Sequence, residues 1–280
     1  MTSRRALAQT ATVAALRVRR ELDRQLEYAT CPFDLARALG LDVRFVAAPS
    51  LEGLYIPAKS TIVVGSLRPR GRRSFTCAHE IGHHVFRHGF RVDEVDAAEY
   101  DDAEFVANRF AAALLMPKLA VDRAFAVRGT SAATCTAQAL YSVAGYLGVG
   151  YTTLLGHLEY TLRLVSTAHA KALRVPLERV RKTILGFVPP KGLFIVEEHW
   201  IGRSVDVDVG DMVILPKGTL VDADILKQLG SHAQGLLLQA VRPGCATARS
   251  SSWKGSLRVG RAGYEGRAQY RYLGEEDDDA

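Results

Sequence analysis

The segment SFTCAHEIGHH at residues 74–84 constrains the fold more than any other stretch, because it holds two histidines four residues apart. The apolar residues around them keep helical spacing: Phe75, Ala78, Gly82, Val85 and Phe86. This spacing predicts a helix, with Gly89 as its C-terminal cap. On such a helix His79 and His83 lie one turn apart and point within roughly 40° of each other. Both imidazoles can therefore reach one metal ion.

Glu80 follows the first histidine and projects from the neighbouring flank of the predicted helix. A carboxylate there is suited to hold a water rather than the metal. Zinc lowers the pKa of a bound water to roughly 7, and the glutamate can take its proton as the water attacks a peptide carbonyl. The alternative is a histidine-bearing helix without a metal, since the pattern arises by chance in on the order of 1 in 100 chains of this composition.

A third ligand has to come from another segment, because zinc in a peptidase takes three protein ligands and keeps one open position. Residues 101–117 predict a second helix, with aspartates available for its cap and Pro117 as its terminator. Glu104 could complete the ligand set, and Asn108, one turn on, could hydrogen-bond a ligand imidazole. The alternative for Glu104 is a solvated side chain, since acidic residues crowd residues 93–102.

The two motifs together, FTCAHEIGHH and ExxANRFAAALLMP, resemble the ImmA/IrrE family of regulatory metallopeptidases over roughly residues 30–165. The resemblance implies a zincin-like, gluzincin-type site with a catalytic base and three zinc ligands. It assigns the base to Glu80, the ligands to His79, His83 and Glu104, and a supporting role to Asn108. Manganese or iron could also bind this set. His84 and His88 have no role in the pattern and are interpreted as helix-surface residues.

The resemblance further implies a cytoplasmic endopeptidase that regulates gene expression by cutting a partner protein, a helix-turn-helix repressor. The second hypothesis is a noncatalytic DNA-binding or adaptor protein on a relic zinc-peptidase fold. Glu80 favours the enzyme, because a structural zinc site does not require that carboxylate. Residues 61–64 are interpreted as an edge strand that an extended substrate could pair with.

Residues 138–155 read as helix, glycine turn and helix, a pattern typical of helix-turn-helix DNA binding. The predicted second helix, residues 152–165, nevertheless has Arg163 as its single basic residue. A recognition helix needs Arg, Lys, Asn or Gln near its start. A packing role against the peptidase domain is therefore favoured, and contact with nucleic acid is expected to be nonspecific.

The segment after residue 165 changes in composition. Residues 171–182 predict a basic helix, and alternating runs then predict strands at residues 193–196, 205–209, 212–215, 236–241 and 267–273. Asp206, Asp208 and Asp211 are interpreted as the wet face of a strand rather than a calcium site. This β-rich region and the basic helix are the expected docking surface, so removing residues 166–280 is expected to abolish cutting of a folded substrate.

These patterns predict an α+β fold. The expected parts are a zincin-like peptidase domain (1–126), a helix-turn-helix-like helical segment (127–185), a smaller, mainly β domain (186–274) and an acidic tail (275–280). The sequence has no apolar run long enough to span a membrane, its N-terminus does not read as a secretory signal, and its four cysteines lack CxxC spacing. A reducing cytoplasm is therefore expected. The net charge of +6 could attract nucleic acid or an acidic partner, or only keep the protein soluble.

Overall fold

The computed structural model describes residues 3–89, 91–94, 101–200 and 203–274 of a mixed α+β protein. Its α-helices are α1 (Arg4–Glu21), α2 (Pro32–Ala38), α3 (Arg70–Val85), α4 (Asp102–Leu115), α5 (Lys118–Ala126), α6 (Ala137–Leu147), α7 (Tyr151–Gly156), α8 (Thr167–Leu173) and α9 (Leu177–Leu185). Its strands are β1 (Asp42–Val46), β2 (Leu51–Ile56), β3 (Thr61–Gly65), β4 (Arg91–Glu94), β5 (Leu193–Ile195), β6 (Val205–Asp208), β7 (Met212–Leu215), β8 (Leu220–Val221), β9 (Leu226–His232), β10 (Gly235–Ala240), β11 (Gly244–Arg249), β12 (Lys254–Gly260) and β13 (Gly266–Arg267). The acidic tail lies outside the described residues, as does most of the acidic run before α4. Within the described residues, no helix is long and apolar enough to cross a membrane.

Chain contacts divide the molecule into two compact units. The first consists of residues 1–123, the short segment Leu147–Gly150 and the segment Glu265–Ala268. The second consists of Ala124–Tyr146, Tyr151–Tyr264 and Gln269–Ala280.

The first unit contains a five-stranded sheet in the order β13-β1-β3-β2-β4. The predicted strand at residues 61–64 is confirmed as β3, and it follows β2 at Leu51–Ile56, where the sequence also alternates as in a strand. The interpretation of residues 61–64 as a sheet edge is wrong, because β3 pairs with β1 on one side and β2 on the other. A substrate cannot add to a strand whose backbone groups are already paired on both sides.

Strand β13 is contributed to this sheet by a segment far along the chain. Gly266 and Arg267 pair with β1 in antiparallel register, and the backbone N–H of Ala47 donates to Glu265 Oε1 at 2.5 Å. The predicted strand at residues 267–273 is wrong beyond its first residue, because the chain turns into a 3₁₀ helix at Ala268–Tyr270. The first unit is therefore complete only when the chain reaches residue 268.

Helices α1, α2, α3 and α4 form the helical part of the first unit, with α4 packed against α1 and α3. Helix α1 buries an apolar stripe at Ala11, Ala15 and Val18. The spacing of apolar residues in the sequence predicts that this stripe continues to Leu26, but the helix ends at Glu21, where the chain turns through Asp23 with φ 53°.

Helix α3 confirms the predicted histidine helix but ends earlier than predicted. The chain reverses at Arg87, which has φ 54°, and two backbone hydrogen bonds close the turn: Arg87 N–H to the His84 carbonyl at 3.1 Å and His88 N–H to the His83 carbonyl at 2.9 Å. This is a Schellman cap, in which glycine usually takes the left-handed position. The prediction of Gly89 as the cap is wrong by two residues.

The second unit contains two four-stranded sheets, ordered β5-β7-β10-β9 and β6-β12-β11-β8. Its aromatic residues are mostly internal: Trp200 and Trp253 are buried, and Trp253 Nε1 donates to the Trp200 carbonyl at 3.2 Å. The predicted single helix over residues 171–182 is wrong, because Pro176 separates α8 from α9. Proline lacks an N–H donor and restricts the residue before it, so the helix has to restart.

The predicted helix-turn-helix segment forms α6, a turn with Gly148 at φ 74°, and α7. Helix α7 continues only as a π-helical turn over His157–Thr161, so the prediction of a helix reaching residue 165 is wrong at its C-terminal end. The buried residues of this second helical stretch include Leu154, Leu155 and Leu158.

Candidate metal centre

Helix α3 carries His79 and His83 one turn apart, with both side chains buried. Their Nε2 atoms lie 2.9 Å from each other. The helical repeat places residues i and i+4 on one side of the helix. The two ring nitrogens therefore face a common point. The sequence prediction that both imidazoles can reach one ion agrees with this geometry.

Helix α4 brings Glu104 to the same point. Its Oε2 lies 3.1 Å from His79 Nε2, and its Oε1 lies 3.4 Å from His83 Nε2. The N-cap residue Asp101 accepts a hydrogen bond from the Glu104 backbone N–H at 2.9 Å, which fixes the first turn of the helix. The ligand atoms of the three side chains lie within 4.8 Å of one another, so this group could hold a metal ion.

The charge state of Glu104 suits a cation. Burial alone would raise the pKa of its carboxyl, but hydrogen bonds and charge interactions with His79 and His83 outweigh burial and hold that pKa well below its usual range. The carboxyl is therefore ionised at neutral pH, whereas a neutral imidazole offers a lone pair. Two nitrogen ligands and one carboxylate form a donor set typical of catalytic zinc sites.

Gly82 allows α3 and α4 to approach closely enough for this convergence. A Cβ atom added at Gly82 would lie 3.1 Å from the Ala107 Cα atom and 3.2 Å from a ring carbon of Phe110. Ala107 itself is fully buried. Small residues on both helices therefore set the distance at which Glu104 meets the histidines.

Glu80 lies on the side of α3 that faces β2 and is almost fully buried, with 1% of its surface exposed. A Cβ atom at Gly53 of β2 would lie 2.4 Å from Glu80 Oε1 and 2.4 Å from Thr76 Cγ2. Only glycine at this strand position leaves room for the carboxylate. The residue that the sequence predicts as the base thus follows His79 directly on α3, and its carboxylate lies in a slot that the strand leaves open.

The similarity of the chain to a known family agrees with this geometry. Residues 36–158 match the family model of the IrrE N-terminal-like domain of peptidase family M78. This part of the chain is similar to the ImmA/IrrE family. The resemblance inferred from the two motifs is thereby confirmed, and both motifs lie inside the matched residues.

The comparison with individual proteins gives a distant structural similarity. No curated protein matches it significantly. Among solved structures, a Mycobacterium tuberculosis transcriptional regulator matches with 17% sequence identity and a TM-score of 0.36. That match covers 54% of this chain and 46% of the regulator, less than half of its length.

His88 is a candidate site residue that the sequence reasoning missed. Its Nδ1 lies 2.9 Å from Nδ1 of His83, on the side of the ring away from His79 and Glu104. The Schellman cap folds the chain back so that this contact forms. Interpreting His88 as a plain surface residue is therefore wrong, and since its position depends on a left-handed arginine, neither spacing nor periodicity reveals it.

His84 is also more than a surface residue. Its Nδ1 lies 2.7 Å from the hydroxyl oxygen of Tyr55, which is buried on β2. Burial lowers the pKa of the His84 imidazole and raises the pKa of the Tyr55 hydroxyl. The two side chains therefore form a neutral, hydrogen-bonded pair at the C-terminal end of α3.

Asn108 lies one turn after Glu104, and its side-chain amide donates to the Glu104 backbone carbonyl at 3.0 Å. This contact ties Asn108 to the helix turn that carries the third candidate ligand. The predicted contact between the Asn108 side chain and a ligand imidazole stays a prediction.

The aspartates of the second unit form a different arrangement. Asp206 is buried, so the interpretation of it as part of a strand's wet face is wrong. Arg258 donates to both of its oxygens, Nε to Oδ1 at 2.6 Å and a terminal nitrogen to Oδ2 at 3.0 Å, and the Tyr272 hydroxyl donates to Oδ1 at 2.8 Å. Within the described part of the chain, the one group of three His, Cys, Asp or Glu side chains that could hold a metal ion consists of His79, His83 and Glu104.

Proposed function

We propose that the protein is a cytoplasmic zinc endopeptidase with a zincin-like fold that cuts a partner protein. The observation that carries the proposal is the convergence of His79, His83 and Glu104, with Glu80 buried on the helix that holds the two histidines. Similarity to the family supports a metallopeptidase. Zinc is the metal that best suits two imidazoles and one carboxylate, and manganese or iron are the alternatives.

The chain's own residues have separate roles in this proposal. Zinc, when bound, supplies a Lewis acid that polarises a peptide carbonyl and activates a water. His79, His83 and Glu104 hold it, and Glu80 takes the proton from the attacking water and passes it to the leaving amine. Asn108 supports the turn that presents Glu104.

The proposed substrate is a helix-turn-helix repressor, cut once to relieve repression. The regulatory character of the family supports this substrate. The structure places no disulfide among the four cysteines, all of which lie in its described residues, and this is consistent with the proposed cytoplasmic location. A narrow substrate range also fits a cytoplasmic protease, which would otherwise degrade unfolded chains.

The decisive experiment compares wild type with Glu80→Gln on the product of the neighbouring gene, tested as the candidate repressor, with Glu178→Gln as an exposed-glutamate control. Glu80→Gln should keep about one zinc per chain, measured by mass spectrometry of the metal, and lose cleavage by about 10²- to 10⁴-fold. Casein should remain largely intact. Cleavage by Glu80→Gln at the wild-type rate would refute the enzymatic role, and rapid casein degradation would refute the narrow specificity.

We also propose that the substrate docks on the region after the helical segment, residues 186–274, together with α8 and α9. Truncation after residue 165 is a poor test, because it removes β13 from the sheet of the first unit. Charge reversal is a cleaner one. Among the basic residues of α8, α9 and their linker, Arg174 is paired with Glu159 and Arg181 contacts Tyr141, which leaves exposed Lys171, Arg179 and Lys182.

The triple variant Lys171→Glu, Arg179→Glu and Lys182→Glu should slow repressor cleavage and spare zinc binding. The matched control reverses three exposed charges of the first unit, outside the proposed docking surface: Arg5→Glu, Arg24→Glu and Lys59→Glu. If both triple variants cleave the repressor equally well, the docking surface lies elsewhere.

Contact with DNA is expected to be nonspecific. Helix α7 begins with Tyr151, Thr152 and Thr153, none of which suits bidentate base contacts. A gel-shift series should therefore show affinity that falls steeply with salt and does not depend on sequence. A footprint that persists at high salt on one sequence would favour the noncatalytic DNA-binding hypothesis.

A further inference from the structure

A cavity of about 540 Å³ lies in the first unit, at the C-terminal end of α3. Its polar lining consists of Arg17, Glu21, Tyr55, His84, Arg87 and His88. Five apolar residues complete the wall: Ala14, Val18, Leu39, Pro57 and Val85. The volume falls in the range of roughly 300–1,000 Å³ in which proteins bind small molecules, and polar groups that converge beside apolar side chains are typical of such sites.

The cavity lies next to the candidate metal centre, on the side of the His83 ring that faces away from His79 and Glu104. The Nε2 atom of His83 faces His79 and Glu104, whereas its Nδ1 atom contacts His88. His88 lines the cavity, and none of the three candidate ligands does. An occupant of the cavity would therefore contact the His88 ring that supports a candidate ligand histidine, and none of the three candidate ligands lines the space that it fills.

Two arginines, Arg17 and Arg87, lie at the mouth of the cavity, and their guanidinium N–H groups can donate to a ligand. Within the described residues, Arg17 and Arg87 form no ion pair, and both are exposed. By contrast, the buried Arg19 next to Arg17 donates to the carbonyls of Leu114, Gln25 and Tyr28. Glu21 is the one acidic group in the lining, so the two guanidinium groups leave the rim positive.

Arg87 occupies a backbone position that favours glycine, with φ 54°. Left-handed non-glycine residues store strain, and such strain often accompanies function. The same backbone turn places Arg87 at the cavity mouth and His88 against His83. One short segment thus belongs both to the cavity and to the support of the metal centre.

We propose that this cavity is a binding site for a small organic anion, and that its occupation changes metal affinity through the contact between His88 and His83. The carboxylate, sulfonate or phosphate group of the ligand pairs with Arg17 and Arg87, and its apolar body lies against the wall near the Tyr55–His84 pair. The binding step does not depend on the proposed peptidase activity. The coupling step rests on zinc ligation by His83.

The test uses benzenesulfonate as the anionic probe and benzyltrimethylammonium as a cation of comparable size. Calorimetry on the full-length chain should detect benzenesulfonate binding and much weaker binding of the cation. Arg17→Ala and Arg87→Gly should each weaken benzenesulfonate binding by about tenfold, the effect expected for losing one charge-assisted hydrogen bond. Arg87→Gly should also fold at least as well as wild type, because glycine suits the left-handed position.

Two matched controls separate the site from general charge effects. Arg20→Ala removes an exposed arginine of α1 that does not line the cavity. Arg163→Gly removes an exposed arginine with the same φ of 54° in the second unit. Both should bind benzenesulfonate as wild type does. Absence of benzenesulfonate binding to wild type, or equal losses in the controls, would overturn the site.

Coupling is measured as the zinc affinity of wild type with and without saturating benzenesulfonate. Two linked sites typically change each other's affinity by about 5- to 150-fold. A change of at least about fivefold in wild type that disappears in Arg87→Gly supports the proposal. An unchanged zinc affinity in the presence of bound benzenesulfonate would overturn the coupling, whether or not the enzyme cleaves its substrate.

Discussion

Two clusters in this molecule place a carboxylate among polar partners, and they are suited to opposite tasks. In the first unit, Glu104 faces His79 and His83. In the second unit, Asp206 faces Arg258 and Tyr272. The side chain of Glu104 retains 16% of its exposure, whereas that of Asp206 retains 2%.

The difference lies in what the partners can give. A guanidinium is always charged and has only donors, so Arg258 neutralises Asp206 and leaves no atom for a cation. A neutral imidazole has a lone pair on one ring nitrogen, so His79 and His83 can coordinate a metal together with Glu104. A buried carboxylate therefore marks a metal site only when its partners are themselves possible ligands.

The largest expected effect comes from removing the charge in each cluster. Glu104→Gln should lower zinc affinity by more than the about 10- to 100-fold typical of losing an outer partner, because it removes a direct ligand. Asp206→Asn should keep zinc and destabilise the second unit by about 3 kcal/mol, since it breaks a buried ion pair. Metal content and denaturant unfolding of both variants measure the two effects.

The contrast between the two clusters would be wrong if Asp206→Asn affected zinc binding or if Glu104→Gln did not. Zinc loss in Asp206→Asn without unfolding would mean that the second unit contributes to metal binding. Wild-type zinc affinity in Glu104→Gln would mean that the third ligand is wrongly assigned.

The two clusters also differ in how far the sequence can predict them. Histidines four residues apart, and a glutamate on a second capped helix, are local patterns, so the sequence proposes the three residues of the first cluster, and the family resemblance favours Glu104 as a ligand over a solvated side chain. The ion pair of Asp206 joins β6 to β12, and the sequence patterns do not predict β12 as a strand. Its sequence KGSLRVG mixes glycine, serine and charged residues, so β propensity does not reveal it.

The fold shows the same division between local and distant determinants. Strands β1, β2 and β3 and helices α3 and α4 have clear periodicity, and the sequence predicts them. It does not predict the position of β3 inside the sheet, because that position depends on pairing with β1 and, through β1, on a two-residue strand near residue 266. The support of His83 by His88 depends in turn on a left-handed arginine in place of the expected glycine cap.

The next largest effect concerns the outer partner of each cluster. His88→Ala should weaken zinc binding by about 10- to 100-fold, because His88 holds the ring of His83. Asn108→Ala should act in the same direction and toward the lower end of that range, through the Glu104 carbonyl. Tyr272→Phe should leave zinc unchanged and cost about 1–3 kcal/mol of stability, because Asp206 loses a hydrogen bond.

Zinc titration with a competing chelator and thermal unfolding distinguish these variants. A His88→Ala protein with wild-type zinc affinity would remove His88 from the metal centre. An Asn108→Ala protein indistinguishable from wild type would remove Asn108 in the same way.

A smaller effect is expected from the glycine beside each cluster. The Cβ of Gly82→Ala would meet the Ala107 backbone at 3.1 Å, and two packed helices cannot easily yield. The variant should lose about 1–2 kcal/mol of stability and bind zinc several-fold more weakly, since Glu104 moves away from the histidines.

The Cβ of Gly260→Ala would meet Asp208 Oδ1 at 3.2 Å, the end of a side chain that can rotate. Its stability should therefore change by no more than about 0.5 kcal/mol, and equal effects in the two variants would contradict the role of Gly82 in setting the helix distance.

The smallest effect is a pH dependence of the metal-free protein. Burial raises the pKa of the Glu104 carboxyl, but the two histidines outweigh it and keep the folded-state pKa below the unfolded value of about 4.3. A group with a lowered folded-state pKa stabilises the fold fully above its unfolded pKa, and this contribution is lost as the pH falls toward the folded value. The free energy of unfolding should differ between wild type and Glu104→Gln by a few tenths to about 1 kcal/mol. This difference should therefore shrink as the pH falls from about 5 to 3. Glu178→Gln, an exposed control on α9, should show no such trend. If the difference grew on acidification, the histidines would not be stabilising the ionised carboxylate, and the contrast between the two clusters would fail at its electrostatic basis.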